Sequence, residues 1–254
     1  MSTFFHAVVI DPLYNILITI YDVVPPHDFG ITIILTTIFI KLAMLHLSKK
    51  QIESQKKMQE LQPKIKKLQQ KYKNDKERQT KEMLALYKEH NTTPVSGCLP
   101  LIIQLIIFIA FYRILFSMND AEVFVESARL YAFVPNPGSI TPTFLGLIDL
   151  SAPSPVLAVL AATAQYYQMK MMMAKRDKEK AREENASQKE DVPNMQDFAE
   201  TMTKQMLYIA PAMTLFIGFT FPGGLALYWL VSTLFMIAQQ YYLTHRENAR
   251  TAAQ

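Results

Sequence analysis

Lys41 has the most unusual setting of any residue in the chain. It lies inside an apolar segment, residues 29–47, that is long enough to cross a lipid bilayer as a helix. A lone ammonium group near the middle of a bilayer costs roughly 2.5–3.5 kcal/mol on insertion scales. Because a chain that accepts this cost usually uses the charge, Lys41 indicates a functional site that faces water or a partner.

Helical spacing places other polar residues inside the apolar segments as well. Thr37 lies one turn before Lys41, Gln104 lies in a second apolar segment, and Tyr228 and Ser232 follow at i and i+4 in the last one. None of these segments has an Asp or Glu in its core, so the sequence places no carboxylate there to neutralise Lys41. We therefore expect a water-containing groove that is open to one side. The alternative, a lysine that reaches the lipid headgroups, is disfavoured by its position in mid-segment.

The sequence contains no motif for catalysis, metal binding or phosphate binding. Its five histidines lack metal-ligand spacing, and its single cysteine, Cys98, excludes an intrachain disulfide. We expect a protein that is not an enzyme and that holds no cofactor and no metal.

Hydrophobic residues make up 50% of the chain and charged residues 19%, and the two kinds are separated along it. Apolar blocks alternate with charged runs, as is typical of a multi-pass membrane protein. We predict an all-α integral membrane protein with five transmembrane helices, a cytoplasmic helical hairpin and an N-terminal interfacial helix. The predicted boundaries are 1–28 for the interfacial region, 29–47, 95–117, 154–172, 205–221 and 223–243 for the spans, 49–93 for the hairpin, 118–153 for the outer loop, 173–203 for the second cytoplasmic loop and 244–254 for the tail.

The distribution of lysine and arginine predicts the orientation. Residues 49–93 contain thirteen and residues 173–203 contain six, whereas residues 1–28 contain none and residues 118–152 contain one. Since positive charge collects in cytoplasmic loops, the N-terminus is expected outside and the C-terminus in the cytoplasm. The N-terminal stretch lacks the basic start of a secretory signal, which favours a bacterial plasma (inner) membrane. The net charge of +4 suggests anionic lipid or RNA nearby and no DNA.

The loop at 49–93 has a helical pattern of its own. Apolar residues recur in it at alternating spacings of three and four, which is typical of a coiled coil: Met58, Leu61, Ile65, Leu68 and Tyr72. A turn at Asn74 and Asp75 separates this stripe from a second one. The sequence leaves open whether the resulting hairpin binds a partner or is only a solvated charged element.

Several motifs, in order along residues 28–245, resemble those of the YidC-type membrane protein insertases, the YidC/Oxa/Alb family. They are residues 61–64 (Leu-Gln-Pro-Lys), 82–88 (Glu-Met-Leu-Ala-Leu-Tyr-Lys), 97–104 (Gly-Cys-Leu-Pro-Leu-Ile-Ile-Gln), 144–150 (Phe-Leu-Gly-Leu-Ile-Asp-Leu), 221–229 (Phe-Pro-Gly-Gly-Leu-Ala-Leu-Tyr-Trp) and the pair Gln239-Gln240.

The resemblance implies a five-helix core with a hydrophilic groove that is open to cytoplasm and lipid and closed outside. It places Thr37, Thr220, Tyr228 and Trp229 along the path of the substrate. The family groove normally has an arginine where this chain has Lys41. Two further departures are Ile106, where the family usually has proline, and Thr233, near the position of a usual asparagine.

Three functions follow from these residues as alternatives. The first is an insertase or chaperone that moves short polar segments through the charged groove and releases hydrophobic helices into lipid. The second is a small anion transporter or channel that uses Lys41, and the third is a membrane-anchored coiled-coil scaffold. The expected partners of the first are nascent membrane polypeptides and the lipid bilayer, with the ribosome and the Sec translocon as further candidates through the cytoplasmic loops.

Overall fold

The computed structural model describes residues 3–45, 61, 64–65, 67–73, 75–90, 92, 99–116, 123–125, 129–184 and 195–252. Most of these residues are helical. The helices are α1 (Thr3–Phe5, continued by a π-helical turn at His6–Ile10), α2 (Asp11–Val23), α3 (Phe29–Ala43), α4 (Lys76–Glu89), α5 (Leu99–Phe116), α6 (Pro155–Glu184), α7 (Met195–Thr220) and α8 (Gly223–Ala252).

Some of the predicted features lie outside the described residues. These are the ends of the first two predicted spans at 46–47, 95–98 and 117, the hairpin residues 49–60 and 62–63, Cys98, and the second cytoplasmic loop at 185–194.

Helix α2 forms because its apolar residues recur every three or four positions. Together with the turn before it, the helix buries one face, made by Ile10, Leu13, Tyr14, Leu17, Ile18 and Tyr21. Pro12 lies in its first turn, directly after the π-helical turn at His6–Ile10, and the backbone stays helical through Ile10 and Asp11. The helix ends at Val23, just before the Pro25-Pro26 pair.

The chain forms two compact units. The first comprises Met1–Lys41 with Ala110–Gln254, and the second comprises Leu42–Ile109. In the first unit, α6 packs against both α7 and α8.

Close helix packing in the first unit depends on glycine at two positions. A Cβ on Gly218 of α7 would lie 2.5 Å from Ala158 Cβ and 2.9 Å from Ala158 Cα, on α6. A Cβ on Gly224 of α8 would lie 3.2 Å from Ile33 Cδ1 of α3 and 3.3 Å from Leu115 Cδ1 of α5. The small residues let these helix backbones approach one another, as they do in many membrane helix pairs.

Residues 123–149 contain two short antiparallel strand pairs, so the all-α prediction was too strict. Strand β1 (Val123–Phe124) pairs with β2 (Ser139–Ile140), with Val123 opposite Ile140. Strand β3 (Thr143–Phe144) pairs with β4 (Ile148–Asp149), with Thr143 opposite Asp149. Two-residue strands are too short to give the alternating pattern that predicts a strand from sequence. The fold is mostly helical, as expected.

The carboxylate of Asp28 links the β3–β4 turn to the start of α3 by hydrogen bonds. Asp28 Oδ1 accepts from the backbone N–H of Ile31 at 2.8 Å, which caps the helix, and Asp28 Oδ2 accepts from the N–H of Leu145 at 2.6 Å. Leu145 has a φ of +54°, an uncommon value for a branched residue, and this hydrogen bond helps to hold it there. The turn also covers Gly30, where any Cβ would collide with the Phe144 side chain.

The same loop is fastened to the start of α8 through backbone groups. Gly223 N–H donates to the carbonyl of Ala152 at 2.8 Å, and Gly224 N–H donates to the carbonyl of Leu150 at 3.0 Å. These bonds satisfy two of the amides that a helix start leaves without an intrahelical partner. Residues 144–152 therefore tie the N-termini of α3 and α8 to one loop.

Within this loop, the Ser151 hydroxyl donates to Asp149 Oδ1 at 2.6 Å and the Ser151 backbone N–H donates to the same oxygen at 2.8 Å. The side-chain hydrogen bond from Ser151 is the main reason that the pKa of Asp149 lies below its usual value, while partial burial opposes the shift.

Asn15 holds α2 against the chain at residues 129–131. Its side-chain Nδ2 donates to the carbonyls of Asp11 at 2.8 Å and Arg129 at 2.9 Å, and its Oδ1 accepts from Tyr131 N–H at 2.7 Å. Asn15 is 3% exposed, so the bonds are shielded from water. The Arg129 guanidinium lies 3.4 Å from Asp11 Oδ1 and 4.7 Å from the centre of the Tyr14 ring.

The second unit contains a helical hairpin, with helical residues at 64–65 and 67–71 followed by α4. Asp75 caps α4 by accepting from Arg78 N–H at 2.9 Å.

Two side-chain hydrogen bonds join the two arms of this helical hairpin. Gln79 Nε2 donates to the Gln69 carbonyl at 2.9 Å, and Lys64 Nζ donates to His90 Nε2 at 2.9 Å. Burial in this hairpin raises the pKa of Tyr87.

Within the described part of the chain, no helix is both long enough and apolar enough to cross a membrane. The count of five spans stays a prediction.

We expect Gly218→Ala to lower the free energy of unfolding by about 1–3 kcal/mol, because the added methyl overpacks the contact with Ala158. Intrinsic helix propensity favours alanine by about 1 kcal/mol, so any loss of stability measures the steric cost. The measurement is thermal unfolding in detergent micelles followed by circular dichroism. Ala212→Leu, at an exposed position of α7, is the control and should change little. A stabilised Gly218→Ala variant would contradict the packing described here.

We expect Asn15→Leu to lower the free energy of unfolding by about 1–3 kcal/mol, because it leaves the N–H of Tyr131 and the carbonyl of Arg129 without their partner. Hydrogen exchange at Tyr131 should also become faster. Thr19→Val is a matched control on the same helix, since the Thr19 hydroxyl donates only to the carbonyl of Asn15, one turn before it. Equal effects of the two substitutions would contradict the role given to the Asn15 amide.

Candidate functional site

Helix α3 has polar side chains on its buried face. Thr36 and Thr37 are fully buried, and Lys41 follows one turn later with a partly exposed side chain. The Thr37 hydroxyl donates to the carbonyl of Ile33 at 2.6 Å, within its own helix. Lys41 lies in the last turn of α3, where the helix dipole favours a positive charge.

Helix α8 supplies a second row of buried polar and aromatic side chains. Tyr228 is 1% exposed and stacks on Phe111 of α5, with ring centroids 4.3 Å apart. Ser232 and Thr233, one turn later, are equally buried. Stacked aromatic pairs of this kind contribute about 0.5–1.5 kcal/mol beyond the area that they bury. The stacking therefore fixes the part of α8 that precedes Ser232.

The two helices are close where they start. Ile33 of α3 lies against Gly224 of α8, and one loop ties both N-termini, so α3 and α8 run in the same direction from that loop. Thr37 lies one turn beyond Ile33, and Tyr228 lies one turn beyond Gly224. The buried polar residues of the two helices thus occupy corresponding positions along them.

Three polar side-chain atoms on these helices are buried and have no hydrogen-bond partner within the described residues: Thr36 Oγ1, Ser232 Oγ and Gln239 Nε2. An unsatisfied buried polar atom costs about 1–3 kcal/mol. Such atoms have an explanation where water or a bound polypeptide can hydrogen-bond to them. Because all three atoms lie on α3 or α8, these are the helices whose buried side chains have hydrogen-bonding groups available to a polar ligand.

Gln165 of α6 joins the other side of α8 to α7. Its Oε1 accepts from the Trp229 indole Nε1–H at 2.6 Å and from the Thr214 hydroxyl at 2.5 Å. The sequence shows Gln165 and Thr214 as polar residues inside predicted spans. It does not show that Gln165 bonds to Trp229 and to Thr214, because these two partners lie 64 and 49 residues away from Gln165 along the chain.

Six of the seven residues expected at the site from the sequence lie in the first unit: Lys41, Thr37, Thr220, Tyr228, Trp229 and Ser232. Gln104 lies on the part of α5 that belongs to the second unit, and it is partly buried there. Thr220, at the end of α7, is exposed, and its hydroxyl donates to the carbonyl of Phe216 at 2.8 Å.

The described residues contain no group of three or more His, Cys, Asp or Glu side chains that could hold a metal ion. Among the side chains of α3 and α8 up to residue 239 that the structure describes, the polar groups are hydroxyl, amide and indole groups and the Lys41 ammonium.

The chain matches the family model of the 60Kd inner membrane protein over residues 19–250. It is 30% identical over 243 residues to the membrane protein insertase YidC of Marinobacter nauticus, covering 95% of this chain and 35% of that protein. It is 30% identical over 231 residues to the membrane protein insertase YidC of Streptomyces avermitilis, covering 85% of this chain and 51% of that protein.

A similar solved structure is the crystal structure of an active YidC insertase with its first transmembrane domain resolved. The TM-score is 0.55 at 25% identity, over 95% of this chain and 47% of that one. The chain thus spans about a third to a half of the length of these curated relatives. The resemblance to YidC-type insertases is confirmed, and the chain belongs to the 60Kd inner membrane protein family.

Proposed function

We propose that this chain is a membrane protein insertase in a bacterial inner membrane. It receives short polar segments of nascent membrane polypeptides at the faces of α3 and α8 and releases their hydrophobic helices into lipid. The observation that carries the proposal is the set of buried hydroxyl groups on these two helices, with Lys41 at the end of α3. Relatives at 30% identity over most of this chain are named membrane protein insertases.

The buried polar atoms support binding of polar ligand groups or water when the helices separate, because each of these atoms is shielded by protein in this structure. Thr36 Oγ1 and Ser232 Oγ are shielded by protein, yet no group of the described residues bonds to them. In an apolar membrane interior, such atoms are tolerated where they line a hydrated cavity or meet a polar ligand. A client segment that carries peptide groups and polar side chains can hydrogen-bond to them in the groove, and this lowers the cost of its passage.

Lys41 supplies the charge of the groove. An ammonium group in a partly desolvated site attracts a carboxylate more strongly than the same group does in bulk water. A client whose translocated segment contains Asp or Glu is therefore drawn toward the last turn of α3. The cationic residue orients and attracts the segment and performs no chemical step.

The outer loop supports closure on the outer side. Asp28 holds the turn at Leu145, and the amides of Gly223 and Gly224 hold the carbonyls of Ala152 and Leu150. We place this loop outside and Lys41 toward the cytoplasmic end of α3, in line with the lysine and arginine distribution. In this arrangement a client enters the groove at the Lys41 end, and the hydrogen-bonded loop closes the opposite end of the groove.

The apolar helices of the client leave sideways because lipid is the better solvent for them. Each buried methylene group favours an apolar phase by about 0.8 kcal/mol, so a whole hydrophobic helix has a large driving force to leave a hydrated groove. The insertase therefore needs no energy source of its own for the release. The cytoplasmic hairpin around α4 receives the client or its carrier, with the ribosome and the Sec translocon as candidate partners.

We expect Lys41→Met to reduce insertion of clients with acidic translocated segments by about 5–30-fold, which corresponds to about 1–2 kcal/mol. The same clients with Asp and Glu changed to Asn and Gln should insert equally well with both proteins, because the charge attraction is then absent. The measurement is protease protection of a radiolabelled client in vesicles that contain the purified full chain. Lys41→Arg should retain most of the activity, because it keeps the positive charge.

The matched control is Lys170→Met, which removes an exposed lysine of α6 and should leave insertion unchanged. Equal insertion of acidic and neutral clients by the Lys41→Met variant, at normal protein levels and wild-type yields, would contradict the role given to the groove charge.

We expect Thr36→Val to raise the thermal stability of the protein and to lower its insertion activity. Valine has nearly the same shape and removes the cost of an unsatisfied hydroxyl, about 1–3 kcal/mol. The adjacent Thr37→Val is the matched control for stability, because the Thr37 hydroxyl already bonds to Ile33 and its removal brings no such gain. Thermal unfolding and client insertion are measured on the same vesicles. A Thr36→Val variant that is less stable than the wild type would contradict the assignment of this hydroxyl as a group without a protein partner.

A further inference from the structure

The contact among α6, α7 and α8 places three side chains around one oxygen atom. Gln165 Oε1 lies 2.6 Å from Trp229 Nε1 and 2.5 Å from Thr214 Oγ1. Each of the three side chains comes from a different helix, and all three helices belong to the first unit. One carboxamide therefore joins three elements that are far apart in sequence.

The chemistry of the indole fixes how this contact is made. An indole N–H can only donate, so the Gln165 atom that faces it must be the carbonyl oxygen and not the amide nitrogen. The Thr214 hydroxyl that reaches the same oxygen must then donate as well. With two donors, both lone pairs of the carbonyl oxygen are used, and the direction of the Trp229 ring follows from the position of Gln165.

Trp229 is next to Tyr228, and the two side chains have different partners. Successive residues of a helix point about 100° apart around its axis. Tyr228 stacks on Phe111 of α5 with ring centroids 4.3 Å apart, whereas Trp229 bonds to Gln165 of α6. Two anchors on different faces of α8 fix its rotation about its own axis, and this rotation decides where Ser232 is presented.

We propose that Gln165 is a positioning residue for the client-binding face of α8. It acts through Trp229, whose indole it holds in one direction, and so keeps Tyr228 and Ser232 facing the path of the client. The effect of Gln165 on client insertion rests on the function proposed above. The effect of Gln165 on the direction of the Trp229 ring does not depend on that function.

The test uses the only tryptophan of the chain. Its indole N–H gives a single cross-peak in a ¹⁵N–¹H spectrum of the full chain in lipid nanodiscs. In Gln165→Met, which keeps the side-chain length and removes the acceptor, we expect this proton to move upfield and to exchange faster with solvent. Client insertion should fall about fivefold, the equivalent of one hydrogen bond of about 1 kcal/mol. Gln165→Glu, which keeps a carbonyl oxygen at the same distance, should restore the downfield position.

The matched control is Thr163→Val, two residues earlier on α6. The Thr163 hydroxyl donates to the Val159 carbonyl of its own helix at 2.8 Å, so the substitution should leave the indole peak and client insertion unchanged. Thermal unfolding of every variant shows that differences in insertion come from folded protein.

The outcomes separate the two proposals. An indole peak that stays in place in Gln165→Met overturns the positioning contact, and a peak that moves while insertion stays at the wild-type level overturns its role for clients. A wild-type chain that inserts no client overturns the proposed function, and the position of the indole peak then still decides whether Gln165 holds Trp229.

Discussion

Polar side chains buried between apolar helices must find hydrogen-bond partners, and this requirement divides the polar residues of the chain into two groups. Thr37 and Gln165 are satisfied inside the protein, by the Ile33 carbonyl and by the donors of Thr214 and Trp229. Thr36 Oγ1 and Ser232 Oγ have no partner among the described residues. The first group stabilises the helix assembly, whereas the second is costly unless water or a ligand reaches it. On the proposed function, the first group is structural and the second binds the client.

The satisfied groups are concentrated where the chain needs rigidity. The contact at Gln165 and the small-residue contact of Gly218 with Ala158 join α6, α7 and α8 side by side. Backbone amides of Gly223 and Gly224 and the carboxylate of Asp28 join the starts of α8 and α3 to one loop. Because hydrogen bonds and close packing act together at these places, moving one helix would break several interactions at once.

The mostly helical fold and the family could be predicted from the sequence, because both predictions depend on residue patterns within short segments. It was wrong in excluding strands. The strands Thr143–Phe144 and Ile148–Asp149 form one hairpin that is too short for a periodic signal, and its turn is held by Asp28, 117 residues before Leu145. The three-helix contact of Gln165 could not be predicted for the same reason, since helical spacing relates residues on one helix only. The positions expected for the groove remain a prediction from polar residues in apolar segments and from the family motifs.

The positions of the hydrogen bonds along α3 and α8 also indicate where a groove between these helices can open. Helix α3 is held at its start by the Asp28 cap and by the contact of Ile33 with Gly224. Lys41 lies three turns from that start, near the end of the helix. On the proposed function, a client that enters between α3 and α8 at the Lys41 end leaves the hydrogen bonds of the loop intact. The same fold can then stay closed on the side of the loop, because the hydrogen bonds that join the starts of α3 and α8 to one another through residues 144–152 all lie there.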